Sequence, residues 1–510
     1  MNQYDVIVIG SGIGGLTSAA LLAKLGRKVL VLEAHDRPGG YSHGFKRKKY
    51  HFDSCVHLIS GCGANGYAGG QAIYKTICAL GLLDEIEFIN INPFSHVSFP
   101  GFSASLPQTV ESFVDMLASV FPKEREGIYQ LTNLCLQLTE ELMLVDNSKS
   151  AMDIEQIEKL MPVLFKYRKC TLEEVALEHI KDQKLLAVFS TNWPYLGLPP
   201  SKVSFVYWSA MLAGYIVDGS YYCKGGFQKL ANIMVKGLEL YGGEIQYKSG
   251  VEKINVEEGK VTGVIANNAV INADIVISNA DFRRTVYEMV GEKYFPVRYL
   301  KKASAMQQSL SIFAIYIATD LDLNRMNIGH ESFFYSSFDH EKNFTQTKRG
   351  EISWISLTAP TLIDKSLAPD GEHLLVLTTL LPYNLVSSWK ESKQKIIQTM
   401  LDLSERIVPE LKNHILFVEA GSPATMERYT QNSQGSAYGW DVTPNQVGAL
   451  RIQNKSPING LYFSGHWASP GGGIYGVCVS GIQTTQQIIG IKKREDFWKL
   501  LIENTNEEAQ

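Results

Sequence analysis

The stretch Asp5-Val6-Ile7-Val8-Ile9-Gly10-Ser11-Gly12-Ile13-Gly14-Gly15 decides the fold. Asp5–Ile9 is an uninterrupted Val/Ile run, the pattern of a parallel strand covered on both faces. It ends in a GxGxxG turn at Gly10, Gly12 and Gly15, with Ile13 and Gly14 between. The first glycine permits the tight turn, the second lets the backbone approach a diphosphate, and the third lets helix and strand pack closely. A helix is predicted over Gly15–Leu25 and a second strand over Val29–Glu33. The helix N-terminus, with its unpaired N–H groups and the positive end of its dipole, is a ready anion site. Glu33 stands about 20 residues beyond the glycines, where a ribose hydroxyl needs an acceptor.

The chain has 510 residues, more than a single core organises, which predicts two intimately connected domains. A net charge of −4 argues against a nucleic-acid binder, which would show a basic balance. The seven cysteines are odd in number and form no CxxC pair, so neither a disulfide framework nor a metal site is expected, and a reducing compartment fits. Met1–Tyr4 run straight into the first strand, without a signal peptide. The longest apolar run, Val203–Val217, contains Ser204 and Ser209 and falls short of the about 20 residues a spanning helix needs. The expectation is a soluble or peripherally membrane-associated protein on the cytoplasmic side.

Further along, a hairpin pairs Ser42–Phe45 with Tyr50–Asp53, with Lys46-Arg47-Lys48-Lys49 at its turn. Residues 85–215 read as amphipathic helices and loops, with helices over Val110–Phe121, Ile128–Leu144 and Ile154–Tyr167. Strands return at Gly243–Tyr247, Val251–Glu257, Val261–Ala266, Ala269–Ile271 and Asp274–Ser278. Residues 300–450 alternate strands (Leu310–Ala318, Ile352–Ala359, Leu374–Leu380) with a helix near Ser392–Ile407. A last strand, Gly460–Ser464, leads through a glycine-rich turn to a helix over Tyr475–Ile489. The fold class is therefore α/β: a discontinuous Rossmann-type domain (1–84, 216–299, 451–490), an inserted α+β substrate domain (85–215, 300–450) and a C-terminal tail (491–510).

Glu33-Ala34-His35-Asp36-Arg37-Pro38-Gly39-Gly40 resembles the E-A-x-x-R-x-G-G signature of FAD proteins in the amine oxidase and phytoene desaturase superfamily. Gly460–Val477 is similar to that family's C-terminal flavin block, with His466 where many relatives carry aspartate. Ser220–Gly226 resembles its Y-P-x-G-G segment, and Ala273–Asp281 its A-D-x-V-[IV]-S-N-A segment. Phe52-Asp53-Ser54-Cys55-Val56-His57 resembles the F-D-x-G-x-H of the carotenoid isomerase and retinol saturase branch, with Cys55 replacing the glycine. The resemblance implies FAD, held by Gly10, Gly12, Ile13, Gly14, Gly15, Glu33, Ala34, Arg37, Gly39, Gly40, Val251, Gly465, His466, Gly476 and Val477. Val251 would meet the adenine. The helix starting near Gly476 would aim its N–H groups at the pyrimidine end of the flavin, where reduced flavin is anionic.

No hydrolase triad and no HExxH motif is present, which suits a flavoenzyme whose cofactor carries the hard chemistry. Relatives of this kind act on long polyenes. Candidates near the flavin are His57, Lys224, Tyr438, Trp440 and Trp467, beside His466. Leu160–Phe165, flanked by Lys159, Lys166, Arg168 and Lys169, suggests contact with a bilayer surface. The leading reading is an FAD-dependent enzyme acting on carbon–carbon double bonds of a carotenoid- or retinoid-like lipid, an isomerase or saturase, with an electron donor or acceptor as partner. The alternatives are a desaturase or oxidase of another lipophilic substrate, or a prenyl-lipid carrier of the same fold. The intact glycines and Arg37-Pro38-Gly39-Gly40 argue against the carrier.

Overall fold

Strand Gln3–Ile9 lies inside a seven-stranded sheet, with Val29–Leu32 parallel on one side and Ala269–Ser278 parallel on the other. The computed structural model describes residues 3–64, 71–146 and 154–507. Beyond Val29–Leu32 the sheet adds Glu244–Gln246. Ala269–Ser278 is one continuous strand where two were expected. Its first half pairs antiparallel with Lys260–Ala266, and its last three residues pair parallel with Leu461–Phe463. The sheet thus gathers strands from the beginning, the middle and the end of the sequence.

Helix Ile13–Lys24 is buried along nearly its whole length, between helices Gln228–Leu240 and Ile474–Ile489. Its composition explains this: small Gly, Ala and Ser residues allow close approach, and Leu16, Leu21 and Leu22 fill the gaps.

A second seven-stranded sheet runs in the order Ile415–Gly421, Ser311–Thr319, His373–Leu381, Trp354–Thr358, Glu331–Tyr335, Ser95–Phe99, Phe102–Leu106. The last two strands correct the reading of residues 85–215 as helices and loops alone. Ser95–Phe99 alternates buried and half-buried residues, the period of a half-buried strand. It pairs in parallel with Glu331–Tyr335 and so joins the two inserted pieces into one sheet. Helices Val110–Val120, Arg125–Asp146 and Phe205–Ala213 pack beside it; the last accounts for most of the long apolar run.

The basic hairpin forms as Gly44–Arg47 against Tyr50–Asp53, its first strand two residues later than expected and its second as expected. Arg47 pairs with Glu419 at 2.8 Å and Lys49 with Glu372 at 2.5 Å, which ties it to the second sheet. The single helix expected over Ile154–Tyr167 is two, Ile154–Leu160 and Pro162–Tyr167. Proline lacks an N–H and disfavours helix at the residue before it, so Met161 becomes the joint. The Glu141 carboxylate accepts the Val163 and Leu164 N–H groups of the second helix at 3.2 and 2.7 Å. The expected tail folds as helix Arg494–Glu507, with Phe497, Trp498 and Leu501 buried, against helix Ala72–Ala79.

Candidate functional site

The first strand, the glycine turn and the C-terminal helix converge on a cleft of about 1380 Å³, its open mouth included. Gly10 turns the chain with φ +88°, a conformation side chains resist. A Cβ on Gly15 would lie 2.5 Å from the Gly10 carbonyl oxygen, so Gly15 serves helix–strand packing and does not line the cleft. Gly39 donates its N–H to Ser11 O at 2.9 Å, which holds the Arg37-Pro38-Gly39-Gly40 loop against the first turn. Arg37 lines the cleft, donating from Nε to Asp36 at 2.8 Å and from Nη1 to Gly44 O at 3.2 Å. Glu33 accepts Ser11 N–H at 2.7 Å, Ser11 Oγ–H at 2.5 Å and His35 N–H at 2.7 Å. Its carboxylate is therefore aimed before any ligand arrives.

Of the residues predicted to hold the cofactor, Gly10, Gly12, Ile13, Gly14, Glu33, Ala34, Arg37, Gly39, Gly40, Val251, Gly465, His466 and Val477 all line this cleft. Gly15 and Gly476 do not. Gly476 instead lets its helix approach the Gly471 carbonyl, 3.0 Å from where a Cβ would stand. That helix starts at Ile474, one residue before the expected Tyr475, with Gly473 before it and no side chain capping its first N–H groups. Gly473, Ile474 and Val477 present this free N-terminus to the cleft. An uncapped end with no acidic residue in its first turn fits the electron-rich edge of a flavin ring.

Tyr41, Cys55, Val56, Ile312, Ala437 and Tyr438 also line the cleft. Tyr438 donates its hydroxyl to Pro194 O at 2.9 Å, and Tyr41 to Ser436 O at 2.8 Å. Burial pushes the Cys55 thiol up to about 12, which removes it as a nucleophile at neutral pH. His466 Nε2 and Trp467 Nε1 both reach the Asn432 amide oxygen, at 3.1 and 2.7 Å. Burial, helped by the Arg451 charge, holds the His466 imidazole down to about 3, so the ring is neutral.

The structure does not bring the other candidates into the cleft wall. His57 follows the lining pair Cys55–Val56, but its side chain is buried behind it, with Nε2 unpartnered and its pKa lowered to about 3 by burial. Lys224 is a surface residue paired with Glu87 at 2.8 Å. Trp440 and Trp467 are core residues, edge to face at 4.8 Å. Tyr438 alone of the five lines the cleft.

Asn279 escaped the sequence reading as a site residue, although its segment was recognised. It follows the long strand and donates its N–H to Ile9 O at 2.9 Å. Its side-chain amide occupies the centre of the glycine cradle: Cβ atoms on Gly12, Gly14 and Gly465 would lie 2.7, 3.0 and 2.5 Å from it. Tyr429–Asn432 also escaped. They come from the end of helix Pro423–Thr430, where Gln431 takes φ +56°, and carry no motif.

Arg451 was missed as well. It is fully buried and donates to five main-chain carbonyls: Ala468 at 3.0 Å, Asp441 at 3.3 Å, Gln446 at 3.2 Å, Trp440 at 3.1 Å and His466 at 2.7 Å. It pins the turn that carries His466.

The profile of a family described as flavin containing amine oxidoreductase matches residues 13–489. Prolycopene isomerase, chloroplastic, from Daucus carota is 29% identical over 95% of this chain and 80% of its own length. All-trans-retinol 13,14-reductase from Danio rerio is 26% identical over 91% of this chain and 82% of its own. Among solved structures, an oxidoreductase from Methanosarcina mazei superposes with a TM-score of 0.63 at 20% identity, covering 94% of this chain and 99% of that one.

Proposed function

Because the chain belongs to the flavin containing amine oxidoreductase family, we propose that it acts on carbon–carbon double bonds of a long lipophilic polyene, with isomerisation as its leading activity. FAD is its cofactor, and the residues present fit it: a glycine cradle with no room for side chains, a pre-aimed Glu33, and an uncapped helix N-terminus. The observation that carries the reading is the cleft lining formed by Tyr41, Cys55, Val56, Ile312, Ala437 and Tyr438. It contains no charged group, and His466 beside it is held neutral. Such a wall suits a hydrocarbon and offers nothing to an ammonium group. The names of the similar isomerase and reductase agree with this reading.

Bound FAD supplies the electron pair that such chemistry draws on. The protein's share is placement and electrostatics. Gly10, Gly12, Gly14 and Asn279 would hold the diphosphate, Glu33 would accept from the ribose, and Val251 would meet the adenine. The N–H groups at Ile474–Val477 favour negative charge at the adjacent edge of the ring. Tyr41 and Tyr438, whose hydroxyls are committed to main-chain carbonyls, turn apolar faces to the substrate and exclude water.

The domain limits 1–84, 216–299 and 451–490 against 85–215 and 300–450 are supported by the membership of the two seven-stranded sheets. Among the described residues no helix is long and apolar enough to cross a membrane. A peripheral contact on the cytoplasmic side through Leu160–Lys169 is supported by the exposure of Leu160, Lys159, Lys166 and Lys169.

The test is anaerobic incubation of the holoprotein, oxidised or reduced, with cis and all-trans polyenes, followed by isomer analysis and mass. Isomerisation that needs reduced FAD and leaves mass unchanged supports the leading activity. A product heavier by two hydrogens makes the enzyme a saturase. Activity of the oxidised form alone, with loss of two hydrogens, overturns both.

A further inference from the structure

A second cavity, of about 1770 Å³ with its open mouth included, adjoins the flavin cleft. Tyr41, Cys55, Tyr429 and Thr430 line both spaces. The cavity lies between the basic hairpin, the edge strand Ile415–Gly421 and the start of helix Trp389–Ser404. Part of its wall is apolar. Phe45 and Tyr316 meet edge to face at 4.8 Å, and Met426 Sδ touches Cys55 Sγ at 3.7 Å. Tyr316 donates its hydroxyl to Ser54 O at 2.7 Å, and Trp389 its indole N–H to Tyr383 O at 2.9 Å. Both rings thus keep their polar atoms for the protein.

The charges of the cavity do not balance. Arg37, Lys46, Arg47, Lys390, Lys393 and Arg428 line it, against two carboxylates, Asp36 and Glu419. Both carboxylates are taken. Asp36 accepts from Arg37 at 2.8 Å, and Glu419 accepts from Arg47 through both oxygens, at 2.8 and 3.2 Å. Lys46, Lys390, Lys393 and Arg428 form no ion pair among the described residues.

Lys393 is the telling member of that set. Lys46, Lys390 and Arg428 are exposed, and water solvates them, but Lys393 is half-buried. Burial lowers its ammonium below the usual lysine range, and Glu419 offsets this only in part. A cation withdrawn from water without a partner is costly. Lys390 stands in the first turn of its helix and Lys393 just after it, at the end where the dipole favours anions and repels cations. Glu391, the acid of that turn, is exposed and does not line the cavity. Packing and helix stability therefore give no reason for two lysines here, and an anion in the cavity does.

We propose that this cavity is a subsite for the anionic end of the substrate, which makes the substrate a long polyene with a terminal carboxylate held by Lys390 and Lys393. The proposal rests on the reading of the cleft as a polyene site. The hydrocarbon occupies the uncharged part of the cleft, passes Tyr41 and Cys55, and continues along Phe45, Tyr316 and Met426 to the lysines. A carboxylate suits them better than a hydroxyl, because a charge-assisted hydrogen bond is about twice as strong as a neutral one. Lys46 and Arg428, exposed on the same cavity, raise the local concentration of an anionic ligand.

The test uses the FAD-loaded full chain and three all-trans polyenes of equal length, ending in a carboxylate, an alcohol or a methyl group. Binding is read from quenching of tryptophan fluorescence, which needs no turnover, with flavin content and melting temperature as controls. The carboxylate should bind about 10-fold more tightly than the alcohol. Lys393→Met and Lys390→Met should each weaken the carboxylate about 10-fold and leave the other two unchanged. Lys395→Met, exposed on the same helix and outside the cavity, should change none of them. Equal affinity for the three ends overturns the subsite and leaves the polyene reading intact, as does a Lys390→Met/Lys393→Met double variant that binds the carboxylate like wild type. A double variant that loses only cosedimentation with phosphatidylserine vesicles assigns the lysines to a bilayer surface and also overturns the subsite. Failure of all three polyenes to bind overturns the polyene reading. Calorimetric titration with palmitate then decides separately: heat with the wild type and none with the double variant upholds a carboxylate site, and no heat with either removes it.

Discussion

Replacing Arg451 with lysine should cost more stability than any conservative surface change. The guanidinium serves five main-chain carbonyls from three nitrogens, and burial lowers its pKa only to about 10, so it stays charged at neutral pH. A lysine offers three donors from one point, so at least two carbonyls lose their partner. Each buried group left unsatisfied costs about 1–3 kcal/mol, which makes about 2–6 kcal/mol in total. Against a typical stability of about 5–15 kcal/mol, that is a large fraction. Because two of the five carbonyls belong to His466 and Ala468, the loss should be felt at the flavin as well. Urea unfolding followed by tryptophan fluorescence gives the stability, and absorbance after gel filtration gives FAD per chain. Both should fall in Arg451→Lys. A midpoint within error of wild type, with full flavin, would refute the view of Arg451 as the pin of that turn.

Three further expectations concern the cofactor half and the buried charges. Gly12→Val meets only the end of the Asn279 amide at 2.7 Å, so the chain should fold but purify largely without flavin, whereas Gly15→Ala meets the Gly10 carbonyl at 2.5 Å and should lose about 1–3 kcal/mol of stability; equal flavin content in Gly12→Val and wild type would contradict the cradle. Glu33→Ala removes the predicted ribose acceptor and also leaves the Ser11 and His35 N–H groups without it, so FAD should be lost on dialysis while circular dichroism is unchanged. Buried His57, His330, His340 and His466 are held at about 3, 4, 4 and 3, so the stability they contribute is present above about 6.5 and drains as pH falls towards those values. Asp53, Glu331 and Asp441, each raised to about 7, act oppositely and add stability as pH falls from 7 towards 4. The urea midpoint should therefore fall gently between about pH 6.5 and 4.5, where four histidines outweigh three carboxyls, and fall further below about 4; a midpoint that rises over that range would show that the carboxyls outweigh the histidines.

The cofactor half was legible because a dinucleotide held by backbone demands glycines, and glycines at fixed spacing survive in a sequence as a visible pattern. Gly10, Gly12 and Gly14 were named from the sequence, and all three line the cleft. Asn279 was not, since one amide at the end of a strand looks like any other; only the fold places it among Gly12, Gly14 and Gly465. The second sheet was half legible. Its long strands, Ser311–Thr319 and His373–Leu381, are buried and apolar enough to be read, but the hairpin Ser95–Leu106 is short and rich in serine. Residues whose importance comes from distant partners left no local trace. Arg451 gathers carbonyls from residues 440–468. Lys224 erred the other way: its neighbours matched a family segment, yet its own side chain points to solvent and to Glu87.

The threading of the first sheet also sets a timetable for synthesis. The strand Gln3–Ile9 is made about 270 residues before its parallel neighbour Ala269–Ser278. At about 5–20 residues per second, that is a wait of roughly 15–55 s. The strand Leu461–Phe463 and the helix whose N-terminus faces the flavin come later still. The cleft is not complete until Leu461–Phe463 and the helix Ile474–Ile489 have been made. A nascent chain stalled before Gly460 should therefore bind no flavin even though every residue of its glycine turn is already made.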